Sequence, residues 1–127
     1  MSIEGYLNTS KSKSFNTLLF EFIDKRGYKD SEVYNNVYID RRLFSKIRCN
    51  KNYIPKKETI IKLCISLRLN LDDTNKLLKS AGYTLSYSND FDLIIIFCLE
   101  NSIYDINIIE SYLYKYTKTT IVNYGGF

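Results

Sequence analysis

The sequence predicts an all-α domain, on three observations. Apolar residues recur at i, i+3, i+4 and i+7 through most of the chain, and no stretch alternates as a half-buried strand does. Residues suited to capping helix starts stand just before these stripes, and glycines stand just after two of them. The single proline of the 127 residues falls between stripes. This length suits one domain, and 45% apolar with 25% charged residues is the balance of a globular chain with a real core.

The elements follow in order. Residues 1–13 precede the first capped helix and are expected to be a flexible N-terminus. Ser14 can cap a first helix in which Phe15, Leu18, Leu19, Phe22 and Ile23 form one stripe and Gly27 ends it. Asp30 can cap a short second helix with Val33 and Val37 inward. After a tight turn, Asp40 can cap a third with Leu43, Phe44 and Ile47 inward. Pro55 lies in an exposed basic loop before a fourth helix, whose inward residues are Ile60, Ile61, Cys64 and Leu67. Asn70 opens a fifth, with Leu71, Thr74, Leu77 and Leu78, closed by Gly82. These five helices define a unit over residues 14–82. A C-terminal extension of two more, 90–101 and 105–116, is expected to pack on it within residues 83–116, leaving 117–127 as a tail.

Composition excludes several chemistries. With no His, imidazole catalysis and His-containing metal sites are impossible. Cys49, Cys64 and Cys98 form no CxxC pair; Cys64 and Cys98 lie within apolar stripes and read as core residues. Asp72-Asp73 and Asp90 with Asp92 open helices, where acids favour the macrodipole, and read as caps rather than metal ligands. Without a Gly-rich phosphate loop or a paired-carboxylate motif, no enzyme activity, cofactor or metal is expected. The longest apolar run, residues 93–99, is far short of a membrane span, and the N-terminus has no apolar segment of signal-peptide length. The expected location is cytoplasmic. The abundance of Asn, Ile, Lys and Tyr is that of an AT-rich coding sequence, such as a mobile element.

Charge is unevenly distributed. Residues 11–68 carry fourteen Lys or Arg against six acids, whereas residues 69–127 carry four against seven. Within residues 40–62 the count is eight against two, a local excess that suits a polyanion.

A short second helix, a tight turn and a basic third helix form the pattern of a helix-turn-helix unit. The run Ile39-Asp40-Arg41-Arg42-Leu43-Phe44-Ser45-Lys46-Ile47-Arg48, followed by Tyr53-Ile54-Pro55, Glu58-Thr59-Ile60-Ile61-Lys62-Leu63 and Leu69-Asn70-Leu71, resembles the lambda repressor and Cro-like (XRE-type) family. With Ala81-Gly82-Tyr83-Thr84-Leu85-Ser86 and Phe91-Asp92, it is similar to a branch of small stand-alone proteins that also occurs as a C-terminal extension of macrodomain proteins. The resemblance covers residues 15–113.

The resemblance implies a transcriptional regulator that reads duplex DNA with the helix at 40–50 in the major groove. It places Arg41, Arg42 and Ser45 toward base edges and Lys46, Arg48, Lys51, Lys56 and Lys57 toward phosphates, with Tyr53 either stacking on sugar or packing. Three positions depart from the family's pattern. Tyr34 replaces a small residue, Tyr38 replaces the turn glycine, and Asp30 puts a carboxylate where Gln often meets a phosphate. The competing expectation is a protein-binding module or inhibitor of helix-turn-helix descent that binds no operator. It would use the acidic, apolar C-terminal half, where Tyr104, Tyr112, Tyr114 and Tyr116 cluster. With the DNA reading a homodimer is expected through Leu93 and Ile96, which lie off the stripe of Phe91, Ile94, Ile95, Cys98 and Leu99; the alternative is that the final helix buries both faces within one subunit.

Overall fold

The structure, a computed structural model, describes residues 2–122. Among them are eight helices and no strand: α1 (Ile3–Ser10), α2 (Phe15–Arg26), α3 (Asp30–Asn35), α4 (Arg41–Cys49), α5 (Lys57–Ser66), α6 (Leu71–Ser80), α7 (Asp90–Glu100) and α8 (Ile106–Thr117). Three expected caps form. The side chain of Ser14 accepts the Thr17 amide at 3.2 Å, Asp40 the Arg42 amide at 2.7 Å, and Asn70 the Asp73 amide at 2.8 Å.

Two expectations at helix starts are corrected. Asp30 does not cap α3; Lys29 holds the cap position, its amide donating to Glu32 at 3.0 Å, and the Asp30 carboxylate turns to another helix. The N-terminal stretch expected to be flexible contains α1, whose start is capped by the Ser2 hydroxyl on the Gly5 amide at 3.0 Å. This helix buries no residue; its apolar side chains, Ile3, Tyr6 and Leu7, stand at i, i+3 and i+4 but stay exposed.

Helix ends repeat one device. At Tyr38, Arg68, Gly82 and Ser102 the backbone is left-handed, with φ of 58°, 53°, 84° and 55°. The next residue's amide then reaches back five positions: Ile39 to the Tyr34 carbonyl, Leu69 to Cys64, Tyr83 to Leu78 and Ile103 to Cys98, at 2.8–3.0 Å. Three of these four positions are not glycine. Each costs about 1–2 kcal/mol that the surrounding packing must outweigh.

The core centres on α5, whose residues from Thr59 to Ser66 are all buried. The stripe Ile60, Ile61, Cys64 and Leu67 is inward as expected, but Leu63 and Ile65 are equally covered. A helix enclosed by α3 and α6 on its flanks buries more than one face. Residues 83–122 share this core. Ile95, Ile96, Cys98 and Leu99 of α7, Ile106, Ile109 and Leu113 of α8, and Ile121 and Val122 join the same apolar cluster. The tail is therefore partly packed: the amides of Ile121 and Val122 donate to the Glu110 carboxylate at 3.1 and 2.8 Å. The rest of the expected tail, residues 123–127, lies outside the described residues.

Cys64 and Cys98 are buried and Cys49 is exposed. Burial pushes the Cys64 thiol up to about 12 and the Cys98 thiol up to about 11, because a thiolate would be desolvated. Both groups favour the neutral form on folding. Their contribution to stability is thus whole below the ordinary value of 9.0 and is lost as pH rises through those raised values. Iodoacetamide at pH 8 is expected to label the folded protein once, at Cys49, and three times in urea. Labelling of Cys64 or Cys98 without denaturant would contradict this packing.

Candidate nucleic-acid interface

The basic surface is built on α4, and the packing beneath fixes how that helix sits. Phe44 lies between the rings of Phe20 and Tyr34, at centroid distances of 6.0 and 5.3 Å, and Ile47 is fully buried. The Asn16 side chain on α2 donates to the Ile47 carbonyl at 2.8 Å. Tyr34, where a small residue was anticipated, thus becomes part of the wedge that seats α4 against α3. Tyr38 keeps the left-handed turn despite its bulk, and its hydroxyl lies 3.4 Å from Asn107 Oδ1, bringing the turn to α8.

Arg41, Arg42, Ser45 and Lys46 all project from the exposed side of α4, and Lys51 and Lys56 are exposed on the following segment. The Arg42 guanidinium reaches Asp40, its own helix cap, at 3.4 Å and stays largely in solvent. Lys46 sets its ammonium 4.5 Å over the Tyr53 ring, and Tyr53 itself is half-buried against the core. Tyr53 therefore packs and positions Lys46 in one arrangement.

Two residues expected to meet phosphates are engaged inside the protein. Arg48 forms a two-pronged pair with Asp30, Nε to Oδ2 at 2.7 Å and Nη2 to Oδ1 at 2.6 Å, while stacking 4.1 Å over Phe20. The hydrogen bond to Asp30 holds the Arg48 guanidinium above its ordinary range. This pair also neutralises the carboxylate expected to repel DNA. Lys57 is likewise corrected: its ammonium binds Asp92 Oδ2 at 2.8 Å. Asp92 is 2% exposed and also accepts the Ser86 amide at 2.8 Å, so the pair pins the start of α5 to α7. The cap of α7 is Asn89, which accepts the Asp92 amide at 3.1 Å.

Neither pair leaves a local sequence signal, because the partners are 18 and 35 residues apart. The cationic face is thus Arg41, Arg42, Lys46, Lys51 and Lys56, with Ser45 among them. Sequence reasoning also passed over Lys62, buried on α5. No group of three Cys, Asp or Glu that could hold a metal converges among the described residues.

The expected dimer pair divides. Leu93 is exposed, but Ile96 is 3% exposed and belongs to the core, because α7 is held between α6 and α8 and buries a wide arc. Phe97, 52% exposed, takes the outward position; with Leu93, Ile94, Tyr112 and Tyr116 it lines a chiefly apolar groove that Asp90 edges.

Compared with protein-family models, curated proteins and solved structures, this chain matches none.

Removing one partner of a buried pair leaves the other charge uncompensated. Lys57→Met is therefore expected to cost about 3 kcal/mol and to lower Tm by on the order of 10 °C. Arg48→Ala, breaking a half-exposed pair, is expected to cost only about 0.5–1 kcal/mol, and Lys56→Met less. Urea unfolding followed by circular dichroism measures all three; equal costs for Lys57 and Lys56 would refute the assigned roles.

Proposed function

We propose that this chain is a DNA-binding protein, a transcriptional regulator of the lambda repressor-like helix-turn-helix type. In this reading α2–α6 are the five-helix unit and α3, the Tyr38 turn and α4 are the helix-turn-helix. The observation that carries the reading is the face around α4: five exposed cations, on a helix fixed from below by Phe44, Ile47 and the Asn16 bond. With α4 in the major groove, Arg41 and Ser45 near its N-terminus face base edges. Arg42, Lys46, Lys51 and Lys56 are left for phosphates, which anchor without reading sequence.

A second reading rests on a separate surface, between α7 and α8. The apolar groove of Leu93, Phe97, Tyr112 and Tyr116 is the patch a self-complementary contact requires. We assign it to a homodimer, because a single small module makes few base contacts. Pairing sets two recognition helices about 34–36 Å apart, one DNA turn. A helix-turn-helix descendant that binds another protein through this groove, without an operator, is the alternative.

Titration of duplex DNA at several salt concentrations tests the first reading. Four phosphate contacts give a slope of log K against log salt near about −4. Lys46→Ala should flatten it by about one, while Arg41→Ala relaxes base preference and Arg48→Ala leaves the slope unchanged. Absence of binding at low ionic strength would end the proposal.

For the dimer, sedimentation at micromolar protein is expected to show a two-chain species that Phe97→Asp dissociates without loss of helicity. A single-chain mass at every concentration would leave the groove to a different partner.

A further inference from the structure

Beside α4 lies an open-mouthed cleft of about 540 Å³, within the size range of small-ligand sites. Its walls are chiefly apolar: Ile39 and Leu43 from the turn and α4, the Tyr53 ring from the loop, and Ile121 from the returning chain. Into it α5 directs Lys62, which is only 7% exposed. No hydrogen bond or ion pair reaches the Lys62 ammonium from another described residue. Glu110 and Glu58 are near enough to favour its charge but form no bridge to it, and the Glu110 carboxylate accepts the Ile121 and Val122 amides instead. Desolvation prevails, pushing the Lys62 ammonium below its ordinary range.

A mostly buried cation whose ammonium still meets the cleft but bonds to no described residue is poorly compensated, and an anion entering the cleft supplies the missing partner. The rim favours the same sign. Lys46, Lys56 and Arg42 face Asp40 and Glu58 there, and the Asp40 carboxylate is already engaged by the Arg42 amide and guanidinium. We infer that this cleft binds a small organic anion, a phosphate or carboxylate borne on an apolar or aromatic body, with Lys62 as its buried counter-ion. The body rests on Leu43, Ile121 and the Tyr53 ring, and the Thr59 hydroxyl is available to donate to the anionic head. Because Lys46 and Arg42 line this cleft and also belong to the proposed DNA face, an occupied cleft competes with DNA; that consequence alone rests on the DNA reading.

Calorimetric and NMR titrations of the full chain with phenyl phosphate, benzoate and neutral benzyl alcohol test the site. One or both anions are expected to bind saturably, and benzyl alcohol more than about tenfold more weakly, the scale of a desolvated charge contact. Lys62→Met should weaken the anion more than about tenfold while leaving Tm equal or higher, since an apolar side chain replaces an unpaired buried charge. Lys56→Ala, at the exposed rim, should change affinity less than about threefold. In the unaltered chain the Lys62 Cε resonance should shift on adding anion, a readout independent of how any variant folds. Undiminished anion binding by Lys62→Met, equal affinity for benzyl alcohol, or no anion binding at all would each overturn the inference. A chain that binds phenyl phosphate yet ignores DNA retains this site and loses the DNA reading.

Discussion

A helix buried over eight consecutive residues must find partners for the polar groups it takes inside, and α5 imposes that condition on everything around it. Its eight buried residues include three with polar side chains, Thr59, Lys62 and Ser66. Each is met differently. Ser66 donates to the Val33 carbonyl at 2.5 Å and so sets the height of α3. Thr59 and Lys62 open toward the cleft beside α4. At the helix start, Lys57 requires a carboxylate, and Asp92 comes from the next layer to provide it. The placement of α3, α4 and α7 can be understood as the set of answers to this one buried segment.

The same accounting changes what the basic stripe means. Charge density along the chain suggests one continuous cationic face, yet two of its members hold the protein together. Arg48 braces α4 against the start of α3, and Lys57 joins the five helices to the two that follow. What remains exposed is a smaller, better-defined set. The fold uses opposite strategies for its two acids: Asp30 is shared near the surface with a stacked guanidinium, whereas Asp92 is fully enclosed and needs two donors.

Seven of the eight helices were legible because each buries a stripe, and stripes are periodic. α1 was not, since behind its capping serine the stripe of Ile3, Tyr6 and Leu7 spans barely more than one turn and meets no core. The exposed positions of Arg41, Arg42, Ser45, Lys46, Lys51 and Lys56 follow from the same periodicity on α4 and the loop after it. Periodicity is silent about partners remote in sequence, so Arg48 and Lys57 looked free. It also assumes one buried face per helix. That assumption failed where a helix has neighbours on more than one side, which is why Leu63 and Ile65 were missed on α5 and Ile96 was turned outward on α7. A tyrosine in place of the turn glycine suggests a reshaped turn, yet Tyr38 keeps the left-handed backbone. Its reach to α8 could not be seen, because Asn107 is 69 residues away.

The enclosure of Asp92 also bears on modularity. Small helical units are commonly regarded as portable, to be trimmed to their smallest folded length and grafted elsewhere. Here a cut after Gly82 would strip Lys57 of its carboxylate. The same cut would uncover the Tyr104 hydroxyl's anchorage on the Leu69 carbonyl, at 2.9 Å, and remove Ile121 from the flank of α4. Residues 83–122 are structural scaffolding for α4 rather than an appendage. Any minimal version of this protein must carry them, and insertions are better tolerated in the exposed segment around Tyr87 than at the boundary that the helix pattern suggests.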